Sequence, residues 1–135
     1  MKMRSAFING VMVFTTLLVA AGCGKREISF SRDVMPVLRA NCVECHGGSG
    51  EGLAKSGLDL TSYDQLMKGT KFGPVVVRGD STSSNLYRVV SHRVDPKIQM
   101  PPHHDESLAT GRKIALEVEQ ITNIRLWIDQ GALNN

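Results

Sequence analysis

The stretch NCVECHGG, residues 41–48, places two cysteines and a histidine within five positions. The chain has three cysteines in all, and the third, Cys23, lies far away at the end of an apolar N-terminal run. A C-x-x-C pair is typical of a redox dithiol, of a metal site or of cofactor attachment. The residues around Cys42 and Cys45 decide between these uses.

Two of the three uses fit the surrounding sequence poorly. A thioredoxin-like dithiol needs a strand–helix–strand context, whereas the residues before Cys42 have a helical pattern. Structural zinc normally has four ligands, usually from two paired motifs. Only one C-x-x-C is present, so zinc would need a distant histidine such as His103 or His104.

The whole cluster has the spacing C-x-x-C-H, which is the attachment motif of c-type haem. On one irregular helical turn, Cys42 and Cys45 reach the two vinyl groups as thioethers, and His46 directs its ring at the iron. Haem attachment thus accounts for both cysteines and for the adjacent histidine. We therefore predict one covalently attached haem c, with His46 as an axial ligand.

The second axial ligand has several candidates among the later methionines and histidines. Met100, in KIQMPPHH, precedes two prolines, which fix φ and stiffen the loop. Methionine is more often a gap-filling core residue, but beside a haem motif we predict Met100 as the iron ligand. A bis-histidine site through His103 or His104 is the main alternative. Met67 and His92 are weaker candidates, and Met67 is better interpreted as packing.

The N-terminus has the pattern of an export signal: Lys2 and Arg4, then the apolar run 11–21, then small residues. A membrane-spanning helix needs about 20 apolar residues, and this run is shorter. Ala21-Gly22-Cys23 resembles the bacterial lipoprotein signal, in which the cysteine is acylated and becomes the new N-terminus. Ordinary cleavage nearby is the alternative. Haem c is attached outside the cytoplasm, so export agrees with the C-x-x-C-H motif.

This signal also accounts for part of the basic charge. It contains two of the sixteen Lys and Arg residues and none of the thirteen Asp and Glu residues, and no basic stripe indicates nucleic-acid binding. We predict a signal peptide at 1–22, a lipidated tether at 23–28 and one monohaem domain at 29–133. The predicted location is the periplasmic side of the envelope. In Gram-negative lipoproteins the usual inner-membrane retention signal after the cysteine is Asp, so the resemblance of this segment, with Gly24 at that position, slightly favours the outer membrane.

The remaining pattern predicts a mainly α fold. One helix leads into the haem motif, and residues 47–57 form a glycine-rich loop. Ser62 is predicted to cap a short helix at 63–68, and Ser84 is predicted to cap a second short helix that ends at Val90. The C-terminal helix has one apolar face and stops at Gly131. That face consists of Ile114, Val118, Ile121, Ile124 and Ile128. Trp127 lies beside it and is interpreted as a core aromatic.

The order FSRDVMPVLRANCVECHG, GLDLTSYDQLMKG, GPVVVRGDSTSSNLY, MPP and IRLWIDQGA resembles the planctomycete-type cytochrome c domain of the class I cytochrome c superfamily, over 30–132. The resemblance implies N- and C-terminal helices packed around one haem c, with His46 and Met100 as ligands. It also implies that Trp127 and Ile128 pack against the N-terminal helix. The chain departs from the family at Arg78, where proline is common before Gly-Asp.

A haem protein of this kind has several possible functions. Histidine–methionine ligation favours one-electron transfer without substrate turnover, between envelope redox partners. A haem-based sensor or gas-binding module needs a distal ligand that leaves. A peroxidase-like enzyme needs an open iron position and a distal acid or base, for which His92, His103 and His104 are conceivable. A non-redox scaffold is a fourth alternative. We expect an electron carrier.

Overall fold

The computed structural model describes residues 26–102 and 115–135. In these ranges the chain is mainly helical, and strand-like pairing is limited to isolated bridges between Thr70 and Gly73 and between Val77 and Asp80. The predicted mainly α class is therefore confirmed for the described part of the chain. No helix in that part is long and apolar enough to cross a membrane. The predicted signal at 1–22 and Cys23 lie outside the described residues.

Within the two described ranges, five α-helices and two shorter helical turns follow one another. A π-helical turn, Phe30–Val34, leads directly into α1, and a 3₁₀ turn, Pro96–Ile98, lies between α4 and α5. The α-helices are α1 (Met35–Asn41), α2 (Glu51–Ser56), α3 (Tyr63–Lys68), α4 (Asn85–Val90) and α5 (Val118–Asp129).

The N-terminal helical segment begins at a reciprocal cap. The hydroxyl oxygen of Ser29 accepts from the backbone N–H of Arg32, and the carboxylate of Asp33 accepts from the backbone N–H of Ser29 at 2.8 Å. Pro36 is the second residue of α1, directly after the π-helical turn, so its missing N–H falls where the helical segment changes from π to α geometry.

The N- and C-terminal helical segments meet in an aromatic cluster. The ring of Phe30 lies 5.3 Å from that of Trp127 and 5.1 Å from that of Tyr63, measured between centroids. Trp127 is only 1% exposed, and its Nε1–H donates to the carbonyl of Leu133 at 2.9 Å. The interpretation of Trp127 as a core aromatic is confirmed, since its ring is buried and its polar atom is satisfied by the backbone.

Helix α5 differs from its prediction at the start and agrees at the end. It begins at Val118, which is 81% exposed, because Glu117 and Gln120 form a capping box there. The buried face therefore starts further along, and Ile114 lies outside the described residues. At the other end Gly131 takes φ 103°, and the N–H of Ala132 bonds back to the helix. The predicted stop at Gly131 is confirmed.

The glycine-rich segment 47–57 is only partly a loop, so that prediction was wrong at α2. Glu51 and Lys55 form an ion pair one helical turn apart, and the N–H of Leu53 bonds to the carbonyl of Cys45 at 2.9 Å. These contacts offset the poor helix propensity of Gly52. The haem motif itself thus supports the helix that follows it.

The two serine-capped helices also differ in outcome. Ser62 accepts from the N–H of Gln65, and α3 covers 63–68 as predicted. Ser84 does occupy the position before α4, but its hydroxyl makes no cap bond. It bonds instead to the backbone of Val77 and Asp80. The helix is therefore correctly placed, whereas the predicted cap is wrong.

Candidate cofactor site

One cavity brings together all four residues that the sequence predicts at the cofactor. Its volume is about 510 Å³, within the range of cofactor and ligand pockets. Cys42, Cys45, His46 and Met100 all line it. Leu58, Leu60, Leu86, Val89 and Val90 form an apolar part of its wall, and the polar or charged residues Asn41, Glu44, Glu51 and Lys55 also line it.

The C-x-x-C-H segment continues α1 as one irregular helical turn. The N–H of Cys42 bonds to the carbonyl of Leu38 at 2.8 Å, and the N–H of His46 bonds to the carbonyl of Cys42 at 2.8 Å. The N–H of Cys45 shares that second carbonyl at 3.1 Å. This turn places both sulfur atoms and the imidazole at the same cavity.

The electrostatics of the cysteines argue against a redox dithiol. Burial, and to a smaller extent the neighbouring Cys45, raise the pKa of the Cys42 thiol to about 11. A reactive dithiol needs the opposite shift, because the thiolate is the nucleophile. Cys42 and Cys45 are both free of disulfides in the structure. An uncharged thiol or thioether suits this half-buried position.

The geometry does not support zinc either. Across 26–102 and 115–135, no three side chains of His, Cys, Asp or Glu are arranged to hold a metal ion. The distant histidines that zinc would need, His103 and His104, lie outside the described residues. Their alternative role as distal haem ligands therefore stays a prediction from the sequence.

His46 is oriented by a backbone carbonyl that lies twelve residues further along the chain. Its Nδ1 lies 3.3 Å from the carbonyl oxygen of Leu58. Because a carbonyl can only accept, this contact selects the tautomer with its proton on Nδ1 and leaves the lone pair on Nε2. Burial lowers the pKa of His46, which favours the neutral ring, and the Leu58 bond opposes this in part. A neutral imidazole with a free Nε2 is the form that binds iron.

Gly52 lies against the imidazole ring of His46. A Cβ atom at this position would come within 2.9 Å of both Cε1 and Nε2 of the ring, and equally close to the carbonyl oxygen of Cys45. Real side chains do not tolerate such contacts, so only glycine fits here without displacement. The glycine-rich sequence that looked like a loop is thus part of the site.

Met100 lines the same cavity and is held there by the end of α4. Its backbone N–H donates to the carbonyl of Val89 at 3.1 Å, and its peptide bond to Pro101 is cis. Of the other methionines, Met35 is buried in the core and Met67 packs against that core. Neither Met35, Met67 nor His92 is among the residues described as lining this cavity.

The residues present fit a c-type haem. They provide two cysteines on one turn, an imidazole whose Nδ1 is bonded to a carbonyl, a methionine at the same cavity and apolar side chains in its lining. Sequence reasoning missed Leu58, Gly52 and Val89. Two of these act through backbone carbonyls and the third through the lack of a side chain, so residue type carries little signal for them.

A comparison with protein families agrees with this geometry. The family model described as Planctomycete cytochrome C matches residues 42–104. The matched segment begins at the first cysteine of the C-x-x-C-H motif and contains Met100. No curated protein and no solved structure showed a significant match.

Proposed function

The chain carries a domain of the Planctomycete cytochrome C family at residues 42–104, and on that premise we propose that it is an exported, lipid-anchored c-type cytochrome. In this proposal it holds one haem c and transfers single electrons between redox proteins of the cell envelope. The proposed domain is 29–133, and the proposed lipid attachment is at Cys23, on the periplasmic side.

The observation that carries this proposal is the meeting of Cys42, Cys45, His46 and Met100 at one cavity. A bound haem supplies an Fe(III)/Fe(II) couple, and histidine–methionine ligation raises the potential of that couple. The thioethers of Cys42 and Cys45 would attach the group covalently. His46 and Met100 would hold the iron.

The surrounding residues have definable roles in such a site. The carbonyl of Leu58 fixes the imidazole tautomer of His46, and this kind of bond also tunes the basicity of a ligand. The apolar side chains of the wall exclude water and lower the local polarity, which is a second means of setting a potential. The backbone bond from Met100 to Val89 favours a ligand that stays in place. A fixed ligand at both positions supports electron transfer over substrate binding.

The export and anchoring parts of the proposal rest on the sequence. The signal-like residues 1–22 and Cys23 follow the lipoprotein pattern, and covalent haem requires attachment outside the cytoplasm. Two or three acyl chains would hold the protein firmly at a membrane surface, since one chain alone gives only marginal binding. The electron donor and acceptor would then be proteins of the same compartment.

An absorption spectrum of the exported protein tests the proposal. We expect a c-type pyridine haemochrome, together with a far-red sulfur-to-iron band in the ferric form. A c-type haemochrome without this band would indicate a bis-histidine or open site, and would move the function toward sensing or peroxide chemistry. Absence of haem would overturn the proposal.

A further inference from the structure

The segment between α4 and Met100 contains a buried amide that the proposed function does not yet use. Gln99 is 8% exposed, although Lys97 and Ile98 just before it are exposed. A buried amide is costly unless it is hydrogen-bonded, so its partners are informative. They lie in this same segment.

The side chain of Gln99 joins two carbonyls of the preceding loop. Its Nε2 donates to the carbonyl oxygen of Val94 at 3.1 Å and to that of His92 at 3.4 Å. The loop therefore folds around the amide and not outward into solvent. Asp95 adds a turn of its own, since its carboxylate accepts from the N–H of Lys97 at 2.9 Å.

Both ends of this loop meet at one atom. The carbonyl oxygen of Val89 accepts from the N–H of His92 at 3.4 Å, which is part of the cap of α4, and from the N–H of Met100 at 3.1 Å. The N–H of Arg93 completes that cap by bonding to the carbonyl of Arg88 at 2.9 Å. The loop is thus closed at Val89, with the Gln99 amide inside it.

We propose that Gln99 is a positioning residue, which holds Met100 at the cavity by fixing the loop that precedes it. Gln99 does not line the cavity, whereas the next residue does. Its two hydrogen bonds restrict the backbone directly before the thioether side chain. This inference rests on the proposed function, because it concerns Met100 as the distal haem ligand.

The proposed role is measurable as competition at the iron. An external ligand such as imidazole binds ferric iron only when the thioether has left, so its apparent affinity scales with the fraction of open molecules. Removing the Gln99 hydrogen bonds raises that fraction. For the loss of one to two hydrogen bonds we expect an increase of about tenfold in apparent imidazole affinity.

The experiment uses the full-length holoprotein and three substitutions. Gln99→Leu removes the amide, and Gln99→Glu keeps the size but removes the donor. Gln99→Asn keeps the amide on a shorter side chain, and provides a milder change if the other variants fold poorly. In each case the far-red band and the imidazole titration are measured. We expect a weaker far-red band and tighter imidazole binding in all three variants, and the smallest changes in Gln99→Asn. The pyridine haemochrome, which reports covalent attachment, should be unchanged.

The chain offers a matched control in Gln130. Its amide also makes two bonds to backbone, accepting from the N–H of Ile28 at 2.8 Å and donating to the carbonyl of Arg26 at 2.9 Å. These bonds tie α5 to the N-terminal segment, away from Met100. Gln130→Leu should lower thermal stability and leave imidazole affinity unchanged.

The outcomes separate this proposal from the proposed function. If the wild type has the far-red band and the Gln99 variants bind imidazole no more tightly, the positioning role is wrong and the cytochrome assignment stands. Equal effects of Gln99→Leu and Gln130→Leu on imidazole binding would also overturn the role, because they would reflect general destabilisation. If the wild type has c-type haem without the band, Met100 is not the ligand and both statements about it fail.

Discussion

The guanidinium of Arg78 donates a hydrogen bond to the carbonyl oxygen of Ala132, at the end of the C-terminal helix. It also donates to the carbonyl of Gly131 at 3.0 Å and to the hydroxyl of Tyr63 at 2.6 Å. That hydroxyl in turn donates to Ala132 at 2.8 Å. The side chain of Arg78 thus caps the C-terminal end of α5.

We expect Arg78→Ala to lower the free energy of unfolding by about 1–3 kcal/mol, because charge-assisted bonds to carbonyl groups are lost. Arg78→Lys should retain only part of the lost free energy of unfolding, since an ammonium group cannot make the several parallel hydrogen bonds of the planar guanidinium. Urea denaturation measures both values. Arg39→Ala, at an exposed position on α1, is the control for loss of a positive charge. Equal stability of the Arg78 and Arg39 variants would contradict the capping role.

Met100→Ala should keep the covalent haem and lose the far-red band, with a lower reduction potential, because the thioether is the proposed distal ligand. Absorption spectra and a redox titration measure these changes. The matched control is Met67→Ala, since Met67 packs on the core and does not line the described cavity. This control should lose stability and retain the band. An unchanged band and potential in Met100→Ala would exclude Met100 as the ligand.

Gly52→Ala should reduce haem incorporation or shift the spectrum, because the added methyl group would meet the His46 ring at 2.9 Å. In an ordinary exposed helix the same change stabilises by about 1 kcal/mol, so a loss would identify the steric contact. Haem content per protein and the Soret band are the measurements. Ala54→Gly, on the exposed side of α2, should weaken the helix without altering the spectrum. A normal spectrum in Gly52→Ala would show that the ring is not constrained there.

Asp33 should make the fold dependent on pH in acid. The backbone N–H of Ser29, with the nearby Arg32 and Arg26, lowers the pKa of this carboxyl from its usual 3.8. Because the folded form has the lower pKa, the stabilisation is present above about pH 3.8 and is lost as the pH falls through the lower folded value. Wild type and Asp33→Asn are compared by their Tm at several pH values. The gap between them should narrow below pH 3.8, and a gap independent of pH would refute this assignment.

Cys23→Ser should release the protein from the membrane fraction and leave haem attachment intact, because lipid and haem use different cysteines in the proposal. Fractionation with haem staining and the mass of the N-terminal peptide provide the readouts. Cys42→Ala is the reciprocal variant, which should stay on the membrane and lose stable haem attachment. Release of wild-type protein without an acyl mass would favour ordinary cleavage.

The sequence predicts best the elements that local chemistry determines. Helix α3 has its predicted bounds because Ser62 caps its first turn, and Gly131 ends α5 through its backbone conformation. The C-x-x-C-H residues and Met100 were identified by spacing and neighbours, and the structure places them at one cavity.

The missed features depend mostly on bonds to the backbone. Helix α2 forms in a glycine-rich segment because Leu53 bonds to the carbonyl of Cys45 and because Glu51 pairs with Lys55. The spacing of Glu51 and Lys55, four residues apart, was a helix signal that the glycines outweighed in the sequence prediction. The carbonyls of Cys45, Leu58 and Val89 act through the backbone, which every residue has, so they leave no pattern of residue types.

The shared carbonyl of Val89 has a dynamic consequence. One oxygen accepts from both His92 and Met100, so loss of this acceptor by fraying at the end of α4 would free both N–H groups together. The amide hydrogens at these two positions should then show matched protection factors against exchange with deuterium. If Met100 holds the haem as proposed, motion in a six-residue helix would become visible as a colour change of the protein.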